Sequence, residues 1–305
     1  MNRGADTTQQ HRTARRGFGL GVAAYGLWGV LPIYFKALRS IDSSDIVAHR
    51  IVWSAPVLAI LLSVTGARGE VREALRNRRT LILLTVTALL IGGNWLLYVY
   101  AVNSGHILAG SLGYYLNPLM NVLLGRVVLK ERLSWQQWAA VGLAGAGISA
   151  LAIGAIGQLW ISLTLCVSFA TYGLLRKIAP VDAVAGLAIE TGLLLPFAAG
   201  WLIWGLVAGD PIFGASRFDV ALIAVAGIVT ATPLLLFTAA AKRLRYSTLG
   251  MLQFLAPTLQ FVIAVSVYGE PFTTAHAIAF GAIWTALAFY VTSLLTKARL
   301  PQPPE

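Results

Sequence analysis

Long apolar runs follow one another along the whole chain, each close to the length of a membrane span and separated by short polar gaps. A bilayer core of roughly 30 Å is crossed by about 20 residues of helix. The runs therefore predict transmembrane helices at 17–35, 46–64, 80–101, 108–129, 135–155, 158–175, 183–207, 219–240, 246–268 and 275–296. They are continuous and lack the alternation of lipid-facing barrel strands. Turn chemistry fills the gaps, as in Asp42-Ser43-Ser44-Asp45, Gly209-Asp210-Pro211 and Gly269-Glu270-Pro271. The expected fold is an all-α membrane protein of ten transmembrane helices. Its first span is read as uncleaved, because no small-residue cleavage site closes the run that starts at Gly17.

Composition agrees with this pattern. Of 305 residues, 57% are hydrophobic and 11% charged, against about 25% charged in soluble domains, so lipid must be much of the solvent. The net charge of +11 forms clusters between apolar runs and no continuous basic face, which argues against nucleic acid. Cys166 is the single cysteine, so no intramolecular disulfide or thiol metal site can form. Neither a phosphate-binding loop nor an H-E-x-x-H pair occurs, and no cofactor or metal is expected.

The basic residues fall on alternate sides. Of the 23 Lys and Arg, all but Lys36, Arg39, Arg50 and Arg217 lie on the side that holds both termini. By the positive-inside rule both termini are expected in the cytoplasm, and the protein in the inner membrane.

A shift of 139 residues, the distance from Pro118 to Pro257 and from Glu131 to Glu270, also aligns Leu96 with Leu235, Ala101 with Ala240 and Gly142 with Gly281. Each half then holds five spans. Five is odd, so the second half enters the membrane inverted, the arrangement of transporters whose halves rock about a midplane site. The repeat also marks a helix face: Tyr114, Pro118 and Asn121 on the fourth span correspond to Gln253, Pro257 and Gln260 on the ninth. Both prolines free backbone carbonyls there and are candidate hinge positions.

The run from Ser111 to Gly125, S-L-G-Y-Y-L-N-P-L-M-N-V-L-L-G, continuing to Leu129-Lys130-Glu131-Arg132-Leu133, resembles the fourth span of RarD proteins, a branch of the EamA drug/metabolite transporter superfamily. The likeness extends to Trp28-Gly29 with Pro32, Tyr34 and Lys36; His49-Arg50 through Trp53-Ser54; Asn94-Trp95; Ala101-Val102-Asn103; Glu190-Thr191 before Pro196; Ala256-Pro257-Thr258 through Gln260-Phe261; and Gly269-Glu270-Pro271. Asp45 departs from the pattern, which prefers Glu. The resemblance implies two EamA repeats, 17–155 and 158–296, between cytoplasmic tails at 1–16 and 297–305.

Arg50 stands inside the second span, where an arginine near the bilayer centre costs roughly 2.5–3.5 kcal/mol on insertion scales. It either contacts an anion, with His49 and Trp53 beside it, or snorkels to the surface. Glu190 is the one carboxylate well inside an apolar run. It suits proton coupling, or else serves as a static partner for Arg50 or a hydroxyl. Tyr25, Trp28, Asn94, Trp95, Tyr98, Tyr114, Asn117, Asn121, Gln253 and Gln260 are further pathway candidates. Glu131 and Glu270 read as boundary or helix-packing residues, Trp135, Trp138, Trp160 and Trp201 as interfacial belt residues, and Gly17, Gly19, Gly21, Gly142, Gly145 and Gly147 as close-packing positions.

The leading expectation is a secondary transporter, not an enzyme, that exports small amphipathic metabolites or drugs by alternating access. Its partners would be the small-molecule substrate, the bilayer and, as a coupling ion, protons; one chain suffices for one pathway, so a monomer would serve. The alternatives are an enzyme acting on lipid-linked substrates, with Glu190 and His49-Arg50 as its polar set, and a non-transporting membrane partner.

Overall fold

The computed structural model describes residues 3–152, 157–210, 216–269 and 274–299. In chain order the helices are α1 (Arg3–Ala37), α2 (Ser43–Thr65), α3 (Arg68–Arg76), α4 (Arg78–Asn103), α5 (Ile107–Val127), α6 (Trp135–Ala152), α7 (Leu159–Ile178), α8 (Ala183–Ala208), α9 (Arg217–Ala224), α10 (Ala226–Ala241), α11 (Tyr246–Gln253), α12 (Leu255–Ser266) and α13 (Thr274–Arg299). No strand occurs among the described residues.

Among the described residues, seven segments are long and apolar enough to cross a membrane: Arg12–Ala37, Ser43–Thr65, Arg78–Ala101, Leu159–Ile178, Ala183–Ala208, Arg217–Ala241 and Tyr246–Ser266. The expected spans at 108–129, 135–155 and 275–296 fall on α5, α6 and α13. Large apolar side chains point outward at high exposure, for example Val207 at 82% and Phe197 at 78%, as suits a lipid environment and no aqueous one.

Local chemistry sets the helix ends. Asp42 caps α2 by accepting from the Ser44 N–H at 2.8 Å, and α2 and α8 both end on a left-handed glycine, Gly66 at φ 70° and Gly209 at φ 84°. Pro257 lacks an N–H and frees the Gln253 carbonyl; the ninth run accordingly breaks into α11 and α12 at Phe254. The eighth run also breaks, at Val225. The helix α3 was not expected. Its Ala74 is buried while Arg72 and Arg76 face outward, an amphipathic piece too short and too charged to register as an apolar run.

Lipid gives helices little hydrophobic reason to associate, so small residues and polar contacts hold such bundles. The principal packing pairs are α1 with α10 and α12, α2 with α8 and α10, α4 with α7, α5 with α7 and α11, and α6 with α13. Gly147 lets α6 meet Ala279 and Ala282 of α13, Gly113 lets α5 meet Ser162 and Leu165 of α7, and Gly250 lets α11 meet Pro118 and Asn121 of α5. Gly17 and Gly21 are close-packed as expected, whereas a Cβ added at Gly19 or Gly142 would meet nothing from another helix within 4 Å.

Candidate functional site

Two polar clusters lie on opposite sides of the bundle's middle, each about two turns inside its helix ends. Toward the end formed by the last turn of α1 and the first turns of α2, Arg50 is half-buried. Its Nε donates to Thr230 Oγ1 at 2.9 Å. The guanidinium carbon lies 4.7 Å from the Trp95 ring centre and 5.5 Å from that of Phe35, and the Tyr34, Tyr98 and Tyr114 hydroxyls are within electrostatic reach. Tyr98 and Tyr114 form an edge-on ring pair at 5.3 Å. Tyr34 is held by donating to the Leu222 carbonyl at 3.0 Å. This is an aromatic enclosure around one guanidinium.

Toward the other end, Glu190 on α8 is fully buried and pairs with Arg176 of α7, Nε to Oε1 at 3.4 Å, with side-chain exposures of 0% and 1%. Thr87 of α4 donates to Glu190 Oε1 at 2.5 Å and Tyr172 of α7 to Oε2 at 3.4 Å. Arg176 Nη2 reaches the Ala183 carbonyl at 3.2 Å. Gly186 makes room for this guanidinium; a Cβ there would collide with it. Polar braces surround the pair. Glu131 caps α11, accepting from the Tyr246 N–H at 2.5 Å, the Ser247 N–H at 3.0 Å and the Ser247 hydroxyl at 2.5 Å, with Arg245 at 3.8 Å. Lys177 donates to the Ala241 and Leu244 carbonyls, Lys242 to that of Ala179, and Glu70 accepts from the Asp182 N–H. Burial first, and then the Arg176 charge, hold Lys242 below its ordinary lysine value.

A narrow cavity with room for about one water molecule lies between the clusters, and its lining includes Glu190 as well as Trp95 and Thr230, the neighbours of Arg50. The partner of Glu190 is thus Arg176 with two hydroxyls, and Arg50 is paired with neither carboxylate in the described ion pairs.

The remaining candidates separate. Tyr25 is fully buried and meets Trp28 at a tilt and Phe237 edge-on, in a cluster that continues through Phe169 and Tyr172. His49 is buried, and Trp53 packs against the cluster of Leu38, Ile41 and Ile223, which Tyr34 of the Arg50 enclosure also joins. Asn94 is used structurally, donating to the Leu165 carbonyl at 2.9 Å and to Ser168 at 2.8 Å. Asn121 donates to Gln253 at 2.7 Å across the α5–α11 contact, and Gln260 to the Trp28 carbonyl at 3.0 Å. Asn117 is fully buried, and neither of its side-chain polar atoms has a partner among the described residues. Pro118 lies in α5 against Gly250, and Pro257 follows the α11–α12 break. Trp135, Trp138, Trp160 and Trp201 are exposed near helix ends. Glu270 lies outside the described residues. Sequence reasoning missed Arg176, Thr87, Tyr172, Phe35 and Thr230. One signal was available, since Tyr172 and Arg176 are spaced i, i+4 and share a face.

Residues 15–153 match the EamA-like transporter family. An Escherichia coli K12 relative, Protein RarD, is 41% identical over 94% of this chain and 98% of its own length. The chain belongs to the RarD family. An uncharacterized transporter of Pseudomonas aeruginosa is 46% identical over 95% of this chain and 98% of the relative. Another protein of that organism, 32% identical over 90% and 93%, carries the name chloramphenicol-sensitive protein RarD. One solved crystal structure superposes with a TM-score of 0.71 at 20% identity, covering 91% of this chain and 98% of the other, a likeness of fold. This RarD-family chain is a multi-pass membrane protein of a transporter family.

Proposed function

We infer that the chain is a secondary active exporter of small amphipathic metabolites or drugs, built of ten spans in two inverted five-span repeats, with both termini in the cytoplasm. The observation that carries this reading is the symmetry of the helix pairing. Exchanging the two halves maps α1–α10 onto α7–α4, α1–α12 onto α7–α5 and α2–α10 onto α8–α4, which also pack together, and it maps α2–α8, α5–α11 and α6–α13 onto themselves. A pairing scheme closed under that exchange suits a two-fold axis in the membrane plane, about which the halves rock.

In this orientation the Arg176–Glu190 end faces the cytoplasm and is closed, and the Arg50 enclosure faces outward. Glu190 couples transport to protons. Protonating it removes the charge that answers Arg176 and loosens the α4, α7 and α8 contact; deprotonation restores it. The other pathway residues are Trp95, Tyr98 and Tyr114, reached through the Arg50 enclosure. The name of the chloramphenicol-sensitive relative agrees with a small amphipathic cargo.

The test is flux in proteoliposomes under an imposed pH gradient, with pooled labelled amino acids and amphipathic drugs. Wild type should show gradient-dependent flux, and Glu190→Gln should lose the gradient dependence while keeping counterflow. Equal gradient dependence in both proteins would refute coupling through Glu190, and no flux of any compound would refute the transport reading.

A further inference from the structure

Resting on the transport reading, we propose that the Arg50 enclosure is the subsite for the carboxylate of an organic acid whose body is flat and apolar. Three observations converge. The guanidinium is held in place at Nε by Thr230 and lies over the faces of Trp95 and Phe35. Among the described residues no hydrogen bond or ion pair engages its two terminal nitrogens. A guanidinium held this way presents a planar fork that fits a carboxylate bidentately. An arginine at this depth otherwise costs energy that ring contacts alone return only in part.

The charge count narrows the ligand to a monoanion. Of the other cations on this side, Lys36 sits over the Tyr268 ring, 3.3 Å from its centre, and Arg39 and Arg217 are exposed, leaving one guanidinium inside the enclosure where a phosphate dianion would need more. The walls define the body of the ligand. Trp95, Tyr98 and Tyr114 offer ring faces and edges beside the fork, a surface suited to an aromatic ring, and their hydroxyls and indole supply few polar groups for a strongly hydrophilic one. Glu190, which lines the water-sized cavity, is a carboxylate already paired with Arg176, so it does not compete for Arg50.

The probe is 3-phenylpropionate, with its neutral amide as the matched control, added to the full chain in detergent and followed by thermal denaturation and tryptophan fluorescence. The acid should give a saturable rise in melting temperature and the amide none. Arg50→Gln should weaken binding by about tenfold to a hundredfold, the worth of a charge-assisted pair. Arg50→Lys keeps the charge and loses the fork, and should fall between; it serves as the reading if Arg50→Gln does not fold. Equal responses to acid and amide, unchanged binding in either variant, or no response to the acid in a protein that melts cooperatively would each overturn the subsite. Saturable, Arg50-dependent binding without flux in proteoliposomes would instead leave the subsite standing and overturn transport.

Discussion

Arg176 and Arg50 both stand inside helical runs, and the bundle treats them in opposite ways. Arg176 has 0% side-chain exposure, a carboxylate at 3.4 Å and a carbonyl from the next helix at 3.2 Å, with a glycine shaped around it. Arg50 is half-buried, has one hydroxyl at 2.9 Å and is otherwise faced by rings. The first is an internal strut between α7 and α8, its charge paired with a carboxylate even though Nε and Nη1 have no hydrogen-bond partner among the described residues. The second has a charge that the protein holds but does not neutralise. A closed structural charge and an open one therefore differ in what they leave unanswered as well as in burial.

The comparison breaks most decisively at the strut. Glu190→Leu leaves the Arg176 charge buried without a partner and should cost about 3–5 kcal/mol, measured as loss of thermal stability in detergent. The double variant Arg176→Leu/Glu190→Leu should recover most of that loss, because two apolar side chains need no partner. If the single and double variants are equally unstable, the ion pair is not what holds these helices.

The next effect is steric. Gly186→Ala places a methyl into the guanidinium and should cost about 1–3 kcal/mol, as overpacking does. Gly192→Ala, on the same helix with no neighbour within 4 Å, should be neutral or stabilising by up to about 1 kcal/mol. Similar melting temperatures for the two variants would mean that Arg176 can swing aside, and the strut would be softer than its burial implies.

Glu131 ties the two runs across the same end. Replacing it with Ala strands the N–H groups of Tyr246 and Ser247 at the start of α11 and should cost about 1–2 kcal/mol; Glu131→Gln, which keeps acceptor oxygen but no charge, should cost less. This residue also shows how far the sequence could be read. Its match to Glu270 and its place at a run's end pointed to helix packing, and that is its contact. The runs themselves were legible because lipid demands continuous apolar length. Partnerships were not. In the sequence Arg176 counts only as one of the basic residues on the side of both termini, whereas the fold turns it inward past Gly186. Nothing in local spacing relates Thr87 to Glu190 across 103 positions, and Asn94 read as a pathway amide although its bonds to Leu165 and Ser168 make it a helix clamp.

The smallest stability change is expected at the open end, and there its smallness is informative. Arg50→Gln removes one hydrogen bond from a half-buried group and should change stability by less than about 1 kcal/mol. Relieving an arginine that lies this deep offsets part of even that loss. A residue that contributes so little to the fold while occupying so costly a position has its use elsewhere. The measurement is a pair of melting curves, Arg50→Gln beside Glu190→Leu, in the same detergent. A loss at Arg50 as large as that at Glu190 would make both arginines struts and erase the distinction between the two ends. A negligible loss would leave Arg50 as a charge kept in place for something that comes and goes.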